Sequence, residues 1–235
     1  LAQLQAKNNQ PTSLDVSKSP ALTTLYAQSN QLTSLDVSKN TALDYLNASN
    51  NQLTSLDVSK NTALTLLWAS NNQLTSLDVS NNTALTGLDA SNNQLTSLDV
   101  SKNTLLLSLD ASNNQLTSLD VSKNTALALL YVSGNPLSAL DLTGLNSLVS
   151  LGIAETGQSL TGINLMNPGN LIVLEVDPTQ LAQENFSALT SLFSLHIYDS
   201  KATALSLPAN TTLSAGQITG LTITAPLAAS LDFSA

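Results

Sequence analysis

The sequence contains no cysteine and no arginine, and only 3 % of its residues are aromatic. Without cysteine there are no disulfides and no thiolate metal ligands, although that absence does not select a compartment. Without arginine the chain lacks the side chain that makes bidentate contacts to phosphate and guanine. With seven lysines against a net charge of −9, nucleic acid is not an expected partner, and anionic membrane surfaces are disfavoured for the same reason. Scarce aromatics leave the core to aliphatic side chains, chiefly Leu and Ala. No apolar run approaches the roughly 20 residues that a membrane-spanning helix requires, so no membrane insertion is expected. The chain opens LAQLQAKNNQ, already inside a repeat and with no signal-peptide pattern at Leu1, and so reads as a mature or trimmed segment.

Catalytic equipment is equally sparse. The only histidine is His196, next to Ile197, Tyr198 and Asp199, where a surface role is expected rather than that of a general base. There is no cysteine nucleophile and no glycine-rich phosphate loop. The expectation is a protein that is not an enzyme and carries no cofactor.

What the sequence has is repetition. The fifteen residues NNQLTSLDVSKNTAL, Asn50 to Leu64, return almost unchanged from Asn71 to Leu85. Leu32, Leu53, Leu74, Leu95, Leu116 and Leu137 mark a period of 21 residues, the signature of a solenoid. Each turn has two similar halves, LTLLWASNNQL from Leu64 and LTSLDVSNNTAL from Leu74, and each shows the alternation of a short strand buried on one face. Leu67 and Ala69 are expected inward with Leu66 and Trp68 outward, then Leu77 and Val79 inward with Asp78 and Ser80 outward. The regular repeats cover residues 1–147. Residues 148–235 diverge but keep the inward pairs Leu151/Ile153, Leu174/Val176, Leu195/Ile197 and Leu221/Ile223, with Leu205/Leu207 and Leu231/Phe233 at the second-half offset, which predicts one continuing solenoid. The expected fold is therefore mainly β with little helix: about eleven stacked turns of short parallel strands, on the order of 50 Å long at roughly 4.8 Å per strand. From Asp177, Pro178 and Thr179 signal that a short helix replaces the second strand.

The recurring Asn9, Asn30, Asn51, Asn72, Asn93, Asn114 and Asn135 are expected to be a structural ladder, because an inward amide both donates to and accepts from backbone groups of a sharply turning chain. Asp15, Asp36, Asp57, Asp78, Asp99, Asp120 and Asp141 form a second ladder in which neighbouring charges repel by roughly 1 kcal/mol per pair in water. Calcium is the alternative, but the glycine-rich loops that surround such an ion are missing. Local stabilisation by Ser hydroxyls, backbone amides and the Lys three residues on, as in Asp57 with Lys60, is expected instead, with no metal. Asn81 stands where that Lys would be in one turn, so the lysines are not the whole cause.

The pattern L-x-x-L-x-(A/V)-x-x-N-x-L-x-x-L-D-V-S-x-N-x-x over residues 1–148 resembles the bacterial leucine-rich repeats of the 21-residue class, in particular the internalin J type. There a cysteine ladder follows the inner leucine; here Ala6, Ala27, Ala48, Ala69, Ala90, Ala111 and Val132 fill those places, and a free Cys packs as a small hydrophobe in any case. The resemblance implies a secreted or cell-surface bacterial protein, extracellular, that binds other molecules.

Binding residues are expected where the turns vary. The outward first-half positions read Thr24/Tyr26, Tyr45/Asn47, Leu66/Trp68, Gly87/Asp89, Ser108/Asp110 and Leu129/Tyr131. Aromatics gathered on one face and flanked by carboxylates suit ligand contact, so Tyr26, Tyr45, Asn47, Leu66, Trp68, Asp89, Asp110 and Tyr131 are the candidate ligand-binding residues. The ligand class expected is a protein or a carbohydrate; oligomeric state is not expressed in the pattern. The alternative is a structural spacer, or an ice- or water-ordering solenoid using the regular Thr/Ser/Asp/Asn faces, although its outward rank of Ser55, Asp57 and Ser59 carries charge where two ranks of Thr would be needed.

Overall fold

The structure is a computed structural model that describes residues 1–154, 170–176, 194–198, 205–206, 220–224 and 231–232. The helix expected from Asp177, and Leu207 and Phe233, lie outside the described residues.

Each regular turn contributes one short strand, and the last two described turns contribute a second one, Leu205–Ser206 and Leu231–Asp232. The strands are β1 (Gln3–Gln5), β2 (Thr24–Tyr26), β3 (Tyr45–Asn47), β4 (Leu66–Trp68), β5 (Gly87–Asp89), β6 (Ser108–Asp110), β7 (Leu129–Tyr131) and β8 (Ser150–Gly152). They continue as β9 (Val173–Val176), β10 (Ser194–Tyr198), β11 (Leu205–Ser206), β12 (Gly220–Thr224) and β13 (Leu231–Asp232). Eleven strands, β1 to β10 and then β12, form one parallel sheet in sequence order, while β11 and β13 pair separately. The molecule is a parallel β-solenoid. Its register follows the repeat: Leu25 pairs with Leu46, Leu46 with Leu67 and Leu67 with Leu88. Beyond the regular repeats, Leu174 pairs with Leu195 and Leu195 with Leu221, so the backbone register expected from sequence holds through the divergent spacings.

The core is a single aliphatic column running from Val16 to Val176. A turn supplies Leu64, Leu67, Ala69, Leu74 and Val79, all fully buried, with Leu77 almost so. Burying one such leucine is worth about 1.5–3 kcal/mol, and each is covered by the equivalent residues of the turns before and after. Ala48, Ala69, Ala90 and Ala111 are also fully buried, in a column that Val132 continues, equally buried.

The second half of the turn corrects one expectation. From Leu74 to Val79 the alternation holds, with Leu77 and Val79 buried and Asp78 exposed, but no strand forms there or in the other six second halves described up to Leu142. Period-2 burial requires only an extended chain, whereas a strand requires ladder hydrogen bonds. Here consecutive turns are tied instead by isolated backbone bonds, such as Gln73 N–H to the Leu53 carbonyl at 2.8 Å, and by asparagine side chains.

Two asparagine columns do this. In the first, the Asn72 amide nitrogen donates to the carbonyls of Ala48, Ala69 and Ser70 at 3.0–3.2 Å, and its oxygen accepts from Leu53 N–H at 3.0 Å. Asn51, Asn93, Asn114 and Asn135 repeat the pattern. The second column, Asn40, Asn61, Asn82, Asn103 and Asn124, is fully buried and is the second Asn of the repeat pattern, that of every K/N-N-T, to which the sequence alone assigns no role. Asn82 donates to the Val58 carbonyl at 3.0 Å and the Asn61 carbonyl at 2.8 Å, while the side-chain oxygens of this column have no hydrogen-bond partner. The residue before each first-column Asn serves a different purpose, that of turning the chain. Asn8, Ser29, Asn50, Asn71, Asn92 and Asn113 sit at φ between 53° and 58°, and Gly134 at 67°. That left-handed conformation explains the Asn-Asn pair, since Asn and Gly adopt it most readily.

Candidate ligand-binding face

Register alone builds the face. Side chains of the strands alternate, so the outward positions form two columns crossing the sheet. One runs Thr24, Tyr45, Leu66, Gly87, Ser108, Leu129, Ser150 and Val173; the other runs Tyr26, Asn47, Trp68, Asp89, Asp110, Tyr131, Gly152, Glu175 and His196. The eight candidate residues all lie in these two columns. Gly152, Glu175 and His196 extend the second one without having been expected there, although Glu175 stands between the inward Leu174 and Val176, and His196 between Leu195 and Ile197.

At one end Tyr26 and Tyr45 pack with ring centroids 5.0 Å apart and planes inclined by 41°, with Lys7 Nζ 5.8 Å from the Tyr26 centroid. Asn47 accepts from Ser49 N–H at 3.1 Å, which fixes its amide. Trp68 is half-buried because it leans over the next strand: a Cβ at Gly87 would come within 2.7 Å of Leu66 Cδ2 and 3.1 Å of Trp68 Cη2. Leu66 and Trp68 thus occupy the space that Gly87 leaves, and Gly87 itself is buried beneath them rather than presented outward.

The other end is acidic. Asp89 accepts from the Ser91 amide and hydroxyl at 3.0 and 2.7 Å, and Asp110 from the Ser112 amide at 2.9 Å. Burial raises the Asp110 carboxyl above its ordinary value, with Asp89 adding to the effect against the opposing hydrogen bonds from Ser112. Glu175 is also raised, first by burial and then by Asp110, against the opposing pull of His196. His196 Nε2 lies 2.8 Å from Ser194 Oγ. The Tyr131 hydroxyl meets Ser150 Oγ at 2.8 Å, and its ring lies across Gly152, where a Cβ would sit 2.7 Å from Tyr131 Cδ1 and 3.1 Å from Glu175 Oε2. Asp110, Tyr131 and Glu175, with Ser91, Ser112 and Ser133, line a cavity of about 460 Å³.

The constant half of each turn presents the other set of carboxylates. Asp57 accepts from Ser59 N–H at 2.9 Å, and Asp36, Asp99 and Asp120 accept from the equivalent serines at the same distance. The amide and hydroxyl of Ser59 hold the Asp57 carboxyl below its ordinary value, and Lys60 contributes less. At Asp78, where no Lys follows, the hydroxyl and amide of Ser80 still lower it. The serine of each D-V-S is thus the main stabiliser of this row. Among the described residues no three of His, Cys, Asp and Glu come together in a metal-binding arrangement, and no helix is long and apolar enough to cross a membrane.

No family model and no curated protein matches the chain. Among solved structures, it is similar to the functional domain of internalin J from Listeria monocytogenes, which includes a cysteine ladder. The TM-score is 0.84 at 33 % identity, over 99 % of this chain and 55 % of that one. An internalin F from the same organism gives a TM-score of 0.68 at 20 % identity, over 94 % of this chain and 60 % of the other. A leucine-rich-repeat protein of Leptospira interrogans gives 0.60 at 20 %, over 87 % and 62 %; these two likenesses show the fold alone. The chain spans little more than half the length of the internalin J domain, and fully buried alanines from Ala27 to Ala111 stand at the inner position of its turns.

Proposed function

Since the chain is an internalin-like bacterial leucine-rich-repeat protein, we propose that it is a non-enzymatic recognition or adhesion module of a secreted or cell-surface protein. It engages a protein or glycan through the outward first-half face. Tyr26, Tyr45, Asn47, Leu66, Trp68, Asp89, Asp110 and Tyr131 are the contact residues. One observation carries this reading: within turns that otherwise repeat nearly letter for letter, the residues that vary are those that the parallel register aligns on one face. A solenoid needs uniform positions to stack, and variation concentrated at the outward positions and just before them has no stacking purpose. Half-buried aromatic rings on that face offer large contact area at low entropic cost.

The test is a screen of the chain against glycan and surface-protein arrays, followed by Trp68→Ala, Tyr45→Ala and the second-face control Ser55→Ala. The two aromatic variants should lose binding at least tenfold, since truncating such anchors typically costs about 2 kcal/mol or more. Retained binding in both, with loss in Ser55→Ala, would transfer the function to the regular Ser/Asp face.

A further inference from the structure

Two features coincide on the turns that carry β6 to β9. The first is the acidic cavity. Its carboxylates come from strands on either side of Tyr131, none of the described lysines lines it, and the net charge of −9 supplies no cation in excess. Two partly buried carboxylates facing one cavity repel each other and are poorly solvated, a state relieved by a cation entering from outside. The Ser133 hydroxyl oxygen on the same wall is shielded from solvent and has no hydrogen-bond partner, so a polar group placed there would find one waiting.

The second feature is an apolar ridge beside the strands. Leu105, Leu107, Leu129 and Ile172 are 55 %, 51 %, 36 % and 40 % exposed. Backbone bonds run from Ala128 N–H to the Leu107 carbonyl, from Val149 to Ala128 and from Ile172 to Val149, so Leu107, Ala128, Val149 and Ile172 form one apolar column across four turns, with Leu105 and Leu129 close to it in the chain. In the earlier turns the place of Leu107 is taken by Thr23, Asp44, Thr65 and Thr86. The exposed leucines and isoleucine therefore begin where the carboxylates do, and they have no stacking role.

We propose that the turns bearing β6 to β9 dock an extended segment of a partner protein, which lays apolar side chains on the Leu107–Leu129–Ile172 ridge and inserts one lysine or arginine between Asp110 and Glu175. This rests on the reading that the first-half face binds a partner, and it names the partner's chemistry. Tyr131 supplies an aromatic wall for the aliphatic stem and the charge, and a guanidinium can fork onto the two oxygens of either carboxylate. The ridge favours a protein among the two ligand classes expected from sequence: a sugar could donate hydrogen bonds to the carboxylates of the cavity but has little with which to cover exposed leucine and isoleucine.

The test uses the whole chain and an array of nine-residue peptides with Arg, Lys, Gln or Glu at the centre and Leu/Ile or Ser on either side, run in parallel with a glycan array. Arg- or Lys-centred peptides with apolar flanks should bind at least tenfold more tightly than their Gln counterparts. Asp110→Asn and Glu175→Gln, which remove charge without removing volume, should each abolish most of that preference. Leu107→Ser with Ile172→Ser should weaken the apolar-flanked peptides at least fivefold, and Asp57→Asn on the other face should change nothing. Equal binding of Arg and Gln peptides, binding by no peptide, or capture of glycans alone would overturn the proposal. Peptide binding that depends on Trp68 and Tyr45 but not on Asp110 and Glu175 would overturn the cavity while leaving the face reading intact. Dependence on Asp57 and Ser55 alone would overturn both.

Discussion

Replacing Asn93 by alanine removes four hydrogen bonds but orphans one group, and the difference sets the size of the effect. Its amide nitrogen donates to the carbonyls of Ala69, Ala90 and Ser91, and its oxygen accepts from Leu74 N–H at 3.0 Å. Ala69 also receives Asn72, Ala90 also receives Asn114, and Ser91 also receives the Asn71 amide. Only Leu74 N–H loses its acceptor, and Leu74 is fully buried. The expected cost is therefore that of one unsatisfied buried amide, about 1–3 kcal/mol, not four times as much. The same overlap predicts a coupling. In Asn93→Ala/Asn114→Ala the Ala90 carbonyl loses both donors, so the double variant should be less stable than the sum of the singles by on the order of 1 kcal/mol. Urea unfolding of the parent, the two singles and the double closes the cycle. A single variant as stable as the parent, or strict additivity in the double, would refute the shared-carbonyl ladder.

Leu88→Ala, at a fully buried inner position, should cost about 2–5 kcal/mol, whereas Thr86→Ala, which loses one 3.2 Å bond to the Thr65 carbonyl, should cost about 1 kcal/mol or less; equal losses in thermal unfolding would mean that inside and outside are misassigned. Ser29 holds φ 57° where the equivalent turns use asparagine or glycine, so Ser29→Asn should raise stability by on the order of 0.5–1 kcal/mol, and a lower melting temperature would count against it. The two sets of carboxylates should respond to pH with opposite sign. Asp36, Asp57, Asp99 and Asp120 have folded values below their unfolded ones, so their contribution is present at neutral pH and is lost as pH falls through the folded values. Asp110 and Glu175, near Asp89 and His196, have folded values above their unfolded ones, so ionising them weakens the fold, and that penalty fades as pH falls through the raised values. Asp110→Asn/Glu175→Gln should accordingly be more stable than the parent at neutral pH and equal to it in acid; identical melting at every pH would contradict the assignment.

The inward pairs are legible in the sequence because burial, period and strand direction all act on the same residues, so Leu67/Ala69 and even Leu174/Val176 can be placed without the structure. In the regular repeats the second-half strand is a false reading, because Leu77 and Val79 alternate with Asp78 whether or not their backbone joins a ladder, whereas Leu205 and Leu231 at the same offset do pair, in β11 and β13; side-chain pattern reports extension, not hydrogen bonding. Asn71 and Asn72 look alike in sequence, yet one holds a left-handed turn and the other bridges neighbouring turns. For the candidate face, Tyr131 and Asp110 are visible as departures from the repeat. Glu175 is not joined to them by pattern alone, because the divergent spacing after Gly144 hides that it aligns through Gly152 with Tyr131. The ridge residues Leu105 and Leu107 precede their strand and so fall outside its alternation.

A varied binding face set on a constant structural one is tested most directly by exchanging faces and measuring affinity for the ligand found on the arrays. One variant replaces Tyr26, Tyr45, Trp68, Asp110, Tyr131 and Glu175 by serine; the other replaces Asp36, Asp57, Asp78 and Asp99 by asparagine. The first should remain folded and lose binding at least a hundredfold, beyond the tenfold expected of any single anchor. The second should bind like the parent, with only its melting temperature changed. Undiminished affinity in the first variant, or loss of affinity confined to the second, would contradict the assignment of recognition to the first-half face.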